Sequence, residues 1–147
     1  AITVLRAPGI YAADRLPLER LNRRTPVLAK EDDVFTNHIH ADDLARAVVE
    51  AMNQPRPKQF RVFNVVDDSQ LRMADYFDLV ADTFGLSRPP RVSRSEAEAV
   101  IAPMLLSFMS ESRRICNTRI KRELKFQLKY PTLQFALASF LSASQRA

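Results

Sequence analysis

Two histidines stand two residues apart, His38 and His40, with Asp42 and Asp43 just beyond them. In an extended segment His38 and His40 share one face, and Asn37 and Ile39 the other. Imidazoles and carboxylates so spaced can ligate a metal. A specific set needs a further His or Cys, and none is well placed, so no metal is assigned. The pair then serves packing or hydrogen bonding. Cys116 lies among basic residues, which activate a thiol only weakly. No spacing of Ser, His and Asp, or of Cys and His, forms a nucleophilic site, and no residue is assigned as catalytic.

The other stretch with chemical potential is Pro8-Gly9-Ile10-Tyr11, which ends the apolar run Ile2-Thr3-Val4-Leu5. That run is short and β-branched, as in a strand covered on both faces. Pro8 has no N–H for a ladder, and Gly9 permits close approach to the main chain. A ligand can lie against bare backbone here, with Tyr11 beside it. The plainer reading is a strand end and a turn. The chain opens at Ala1 inside this run. The expectation is therefore the C-terminal part of a longer protein, or else a chain that hides the strand edge by forming a homodimer.

Composition narrows the chemistry. The chain has 147 residues, 46% of them apolar, enough for one domain with a core. Its two glycines are Gly9 and Gly85. A dinucleotide-binding turn needs three in close succession, and a P-loop needs two followed by Lys and Ser or Thr, so neither motif is present. One cysteine precludes an internal disulfide and suits a reducing compartment. No apolar run reaches the ~20 residues of a membrane span. A cytoplasmic protein with no membrane partner is expected.

The net charge of +5 is concentrated. Residues 111–130 carry Arg113, Arg114, Arg119, Lys121, Arg122, Lys125 and Lys129 against Glu111 and Glu123. This reads either as a solvated helix face or as a binding surface for nucleic acid or a protein partner.

The elements that must position these residues alternate between strands and helices. Asp14 is expected to cap a helix with Leu16, Leu18 and Leu21, followed by short strands at 27–28 and 34–39. Asp42 or Asp43 is expected to cap a helix running to Met52, with Leu44, Val48, Ala51 and Met52 as its apolar stripe. Residues 54–58 read as a loop and 60–66 as a second apolar strand. Met73, Tyr76, Phe77, Val80, Ala81 and Phe84 have helical spacing, and Gly85 is placed to end that helix. Ser93 with Glu96, or Ser95 with Glu98, offers a capping box, and Pro103 interrupts the helix that follows. Thr132 is placed to cap a last helix with Leu133, Ala136, Leu137, Phe140 and Leu141; residues 142–147 read as a loose tail.

Four segments carry a resemblance: LRAPGIY, NHIHADDLARAVVEAM, FNVVDDSQLRMADYFDLVADTFGL and SRRICNTRIKRELKFQLKYPT. In that order they resemble the C-terminal portion of the extended short-chain dehydrogenase/reductases, the NAD(P)-dependent epimerase/dehydratase family. The resemblance implies an α/β fold, a fragment of a Rossmann-type parallel sheet (its last strands) plus a small, mostly helical substrate-binding domain. Residues 1–26 and 60–85 would complete the sheet, and 27–59 and 86–147 would form the substrate domain. It implies that Pro8, Gly9 and Ile10 line the nicotinamide end of NAD or NADP. Tyr11, Asn37, His38 and Arg113 would face a sugar-like or carbonyl substrate. It also implies a short strand at 112–117 and a helix at 118–124 capped by Asn117.

The family's Tyr-x-x-x-Lys is absent, because Tyr11, Tyr76 and Tyr130 are followed four places on by Arg15, Val80 and Gln134. The chain alone is therefore expected to be inactive and to need the N-terminal Rossmann half as its partner. Where sugar-nucleotide members carry Asn, this chain has Gly9. Where they carry Arg before the conserved His, it has Thr36-Asn37-His38. A basic group survives there only if His38 is protonated. The reading from another class is a non-catalytic domain that uses the basic 111–130 face.

Overall fold

The computed structural model describes residues 2–55 and 60–144. Part of the loop expected at 54–58, and residues 145–147 of the expected tail, lie outside them. The strands are β1 (Thr3–Arg6), β2 (Gly9–Tyr11), β3 (Val27–Leu28), β4 (Phe35–Thr36), β5 (His38–His40), β6 (Arg61–Asn64), β7 (Leu71–Arg72) and β8 (Arg91–Val92). The α-helices are α1 (Leu18–Asn22), α2 (Ala41–Asn53), α3 (Met73–Thr83), α4 (Arg94–Val100), α5 (Pro103–Phe108), α6 (Thr118–Leu124) and α7 (Leu133–Ser144). The α/β class expected from the sequence is what the chain adopts.

The chain forms two compact units. The first draws on residues up to 15, 37–69 and those from 115 onward. Its ladders are parallel: β1 with β6, from Thr3 opposite Arg61 to Arg6 opposite Asn64, and β2 with β5, from Gly9 opposite His38 to Tyr11 opposite His40. Parallel neighbours require long crossover connections, and in both ladders the partners lie far apart in the chain. The core gathers Ile39, Ala47, Phe63, Val65, Ile120, Leu124 and Phe126. The expectation of a first strand covered on both faces is not met. Ile2 is 61% exposed, and β6 is the only ladder partner of β1 among the described residues.

The start of α2 also departs from expectation. Neither Asp42 nor Asp43 caps it. The cap is His40, whose Nδ1 accepts the Asp42 N–H at 3.1 Å. Asp43 is instead fully buried and accepts the backbone N–H groups of Lys129 and Tyr130, both at 2.8 Å. The helix faces the core through Leu44, Ala47 and Ala51, leaving Val48 and Met52 exposed. The apolar set is wider than the face that this core covers. Helix α6 has the expected bounds, but Asn117 does not cap it; its amide donates to the Val66 carbonyl and Asp68 at 2.8 Å. Thr132 does accept the Phe135 N–H at the start of α7.

The second unit holds residues 16–36 and 70–114. Here β3 pairs with β8 in parallel and β4 with β7 antiparallel. The expected strand at 34–39 is thus two strands, β4 and β5, in different units. Leu28, Ala97, Ile101 and Met109 form a core. Asp33 accepts the Val34 and Ala74 N–H groups at 2.9 and 3.1 Å, which fastens the first turn of α3. Ser93 and Glu96 form the expected capping box at α4, and Pro103 begins α5. Helix α1 starts after Pro17 without a side-chain cap, so Asp14 does not serve there. No ladder forms at 112–117. The packing units follow other lines than the expected division by role, because β2 draws β5 to itself and β3 draws β8.

Gly85 ends α3 at φ +65°, with nothing within 4 Å of an added Cβ. Gly85→Ala meets backbone strain alone. It is expected to lower stability by about 1 kcal/mol, measured by denaturant unfolding.

Candidate functional site

The site lies in the first unit, where β2 runs beside β5. The register sets Gly9 opposite His38. A Cβ on Gly9 would lie 3.0 Å from His38 Cδ2. The bare backbone of Gly9 therefore makes room for an imidazole as well as for any ligand. Gly9 and Ile10 remain exposed, Ile10 by 41%, and Pro8 is half-buried. Together they present main chain and one apolar side chain to solvent.

Tyr11 turns the other way. It is 1% exposed, and its hydroxyl donates to Asp67 Oδ2 at 3.4 Å. Its ring meets those of His38 and His40 edge-on, at 6.3 and 5.3 Å between centroids. Both histidines thus reach one side of β5, as alternation along a strand requires. His40 also stacks on Tyr130 at 3.8 Å. Asn37 Oδ1 accepts the Ile115 N–H at 2.9 Å. Arg113 belongs to the second unit and pairs with Glu111 at 2.6 Å. The structure therefore gathers Gly9, Ile10, Tyr11 and His38 on two adjoining strands, with Pro8 and Asn37 directly before them.

Electrostatics define what this surface offers. Desolvation draws the pKa of His38 down to about 4, so at neutral pH it is an uncharged imidazole. Such a ring donates or accepts a hydrogen bond and gives a diphosphate no charge. Asp67 is a member of the site that sequence reasoning missed. It is buried, and burial pushes its carboxyl up to about 6, against the pull of Ser69 and Tyr11. The signal was the Asp67-Asp68-Ser69 turn directly after an apolar strand, where chemistry gathers in open sheets.

The basic segment is partly neutralised. Arg119 pairs with Glu123 at 2.8 Å, Lys121 with Asp68 at 2.5 Å and Lys129 with Asp42 at 3.6 Å. Arg114 Nε donates to Gln70 at 2.7 Å. Its residues also divide between the two units at 114 and 115.

Neither a protein-family model nor a curated protein matches the sequence. Solved structures do match. A conserved protein of unknown function from Silicibacter pomeroyi is 31% identical, over 97% of this chain and 48% of its own, with a TM-score of 0.80. A human epimerase family protein with NADPH is 18% identical, over 95% of this chain and 48% of its own, at TM-score 0.73. The UDP-glucose 4-epimerase of Thermotoga maritima, with UDP-glucose, is 17% identical over 98% and 46%, at TM-score 0.63. The chain has the fold of the C-terminal portion of an extended short-chain dehydrogenase/reductase. The chain spans about half the length of the structures that it matches. Within it, no described helix is long and apolar enough to cross a membrane.

Two outcomes follow for its site. Gly9→Ala should displace the His38 ring, read as a chemical-shift change of that ring by NMR with the fold retained. The second concerns pH. The unfolded chain protonates His38 near 6.5 and the folded chain near 4, so the unfolded state binds more protons in between. This group's contribution makes stability fall as pH drops through that window. Subtracting the unfolding curve of His38→Gln from that of the parent chain isolates it.

Proposed function

We propose that this chain is the substrate-side portion of an NAD(P)-dependent epimerase, dehydratase or reductase. In that reading the cofactor-binding glycine turn and the catalytic Tyr and Lys stand on an N-terminal half that precedes it. The supporting observation is the half-length likeness to epimerase/dehydratase structures, joined to the open Pro8–Ile10 surface just past the carboxyl end of β1.

Pro8, Gly9 and Ile10 fit one end of the cofactor. Exposed main chain and the side chain of Ile10 suit a flat, weakly polar ring. A pyrophosphate needs a glycine turn, and both glycines here serve elsewhere: Gly9 beside His38 and Gly85 at the end of α3. The nicotinamide would supply hydride transfer when bound. This chain would orient it and offer Asn37 and His38 to the substrate. Tyr11 would support that surface from the inside rather than touch the substrate. Uncharged His38 favours a sugar-like or simple carbonyl substrate over a sugar nucleotide.

The coding sequence upstream of Ala1 provides the test. In frame, it should encode a glycine-rich turn after a strand and then Tyr-x-x-x-Lys. A start codon immediately before Ala1 would overturn the reading. A second outcome concerns the basic segment. Paired as it is, it should give no tight binding of DNA or RNA at physiological salt in a filter or anisotropy assay. Tight binding there would favour the interaction-domain reading.

A further inference from the structure

Asp67 gathers four contacts that otherwise have no reason to meet. Its backbone N–H donates to the His38 carbonyl on β5 at 2.8 Å. Its Oδ2 accepts the Tyr11 hydroxyl from β2. Its Oδ1 accepts the Ser69 N–H at 2.9 Å, and the Ser69 hydroxyl bonds to the same carboxylate. The Ser69 oxygen in turn accepts the Leu133 N–H, the first of α7, at 2.9 Å. One buried residue therefore joins three places: its backbone N–H reaches β5, and its carboxylate reaches β2 and, through Ser69, the start of α7.

We propose that Asp67 is a positioning residue of the candidate site. Its ionised carboxylate holds Tyr11 inward and fixes Ser69, which receives the first N–H of α7, and gaining a proton loosens that hold. Hydrogen bonds to an ionised acceptor are the stronger ones, and a carboxylate accepts only. Once protonated, the group carries a donor of its own, and the Tyr11 hydroxyl loses its charged acceptor. The titratable groups around it are few. Tyr11 comes from β2, and His38 and His40 from β5 pack on the Tyr11 ring. Asp68 adjoins it in the chain, and the Asp68 charge is met by Lys121 of α6 at 2.5 Å. Burial keeps both imidazoles less basic than usual and makes Asp67 harder to ionise, with a pKa of about 6. Asp67 therefore changes charge just below neutrality. This control concerns the site proposed above and rests on that reading; the titration of Asp67 does not depend on it.

The test is carbon-13 NMR of the chain labelled at Asp Cγ and Tyr Cζ, between pH 4.5 and 7.5. Asp67 Cγ and Tyr11 Cζ are expected to titrate together, with a midpoint near 6. Asp67→Asn should abolish the Tyr11 titration. Tyr11→Phe removes a donor to the charged form and should move the Asp67 midpoint upward. A flat Tyr11 signal, a Tyr11 titration that persists in Asp67→Asn, or an unmoved midpoint in Tyr11→Phe overturns the proposal. If Asp67→Asn does not fold, the Tyr11→Phe shift decides alone. No cofactor enters the measurement, so a failed NAD(P) reading and a failed Asp67 proposal give different results.

Discussion

A carboxylate removed from water must be met by donors, and the first unit is arranged around that demand at Asp43. Its side chain is fully buried, and the backbone N–H groups of Lys129 and Tyr130 and the Arg46 guanidinium supply its hydrogen bonds. Leaving such a charge without partners costs several kcal/mol. The residues after α6 are therefore held against the first turn of α2. From that attachment follows the stacking of Tyr130 on His40, and His40 both caps α2 and supports the Tyr11 ring. The site on β2 and β5 is thus braced by a bond to a distant part of the sequence. The contacts at Asp67 repeat the device closer to the site.

The sequence was most legible where local chemistry decides the outcome. The apolar spacing of α3, the left-handed Gly85 at its end and the Ser93–Glu96 box depend on neighbours within a few residues. The bounds of α6 followed from the resemblance instead. Long-range partners were not legible. Asp43 has the composition of a helix cap, yet two amides about 86 residues away claim it. The apolar set of α2 shows which residues can be buried, while the core uses only Leu44, Ala47 and Ala51.

The candidate site shows the same division. Alternation along β5 correctly put His38 and His40 on one side, since both rings meet Tyr11. The inward turn of Tyr11 could not be read, because its acceptor Asp67 is 56 residues away. Gly9 was legible as a close approach, but the group that approaches it, the His38 ring, was not. The charge run at 111–130 overstated the field of that surface. Its counter-charges Asp42 and Asp68 lie outside the run and reach it only through the fold.

Among the described residues strand β1 has one ladder neighbour, which leaves its other edge open beside the exposed side chain of Ile2. An edge of this kind templates further strands. Among the described residues no second strand pairs with that edge, and Pro8 comes only after the strand has ended. Its behaviour in solution then depends on concentration. Pairing along such a margin would grow with concentration. A sheet-forming segment supplied in excess would compete for the same margin and keep the chain dispersed.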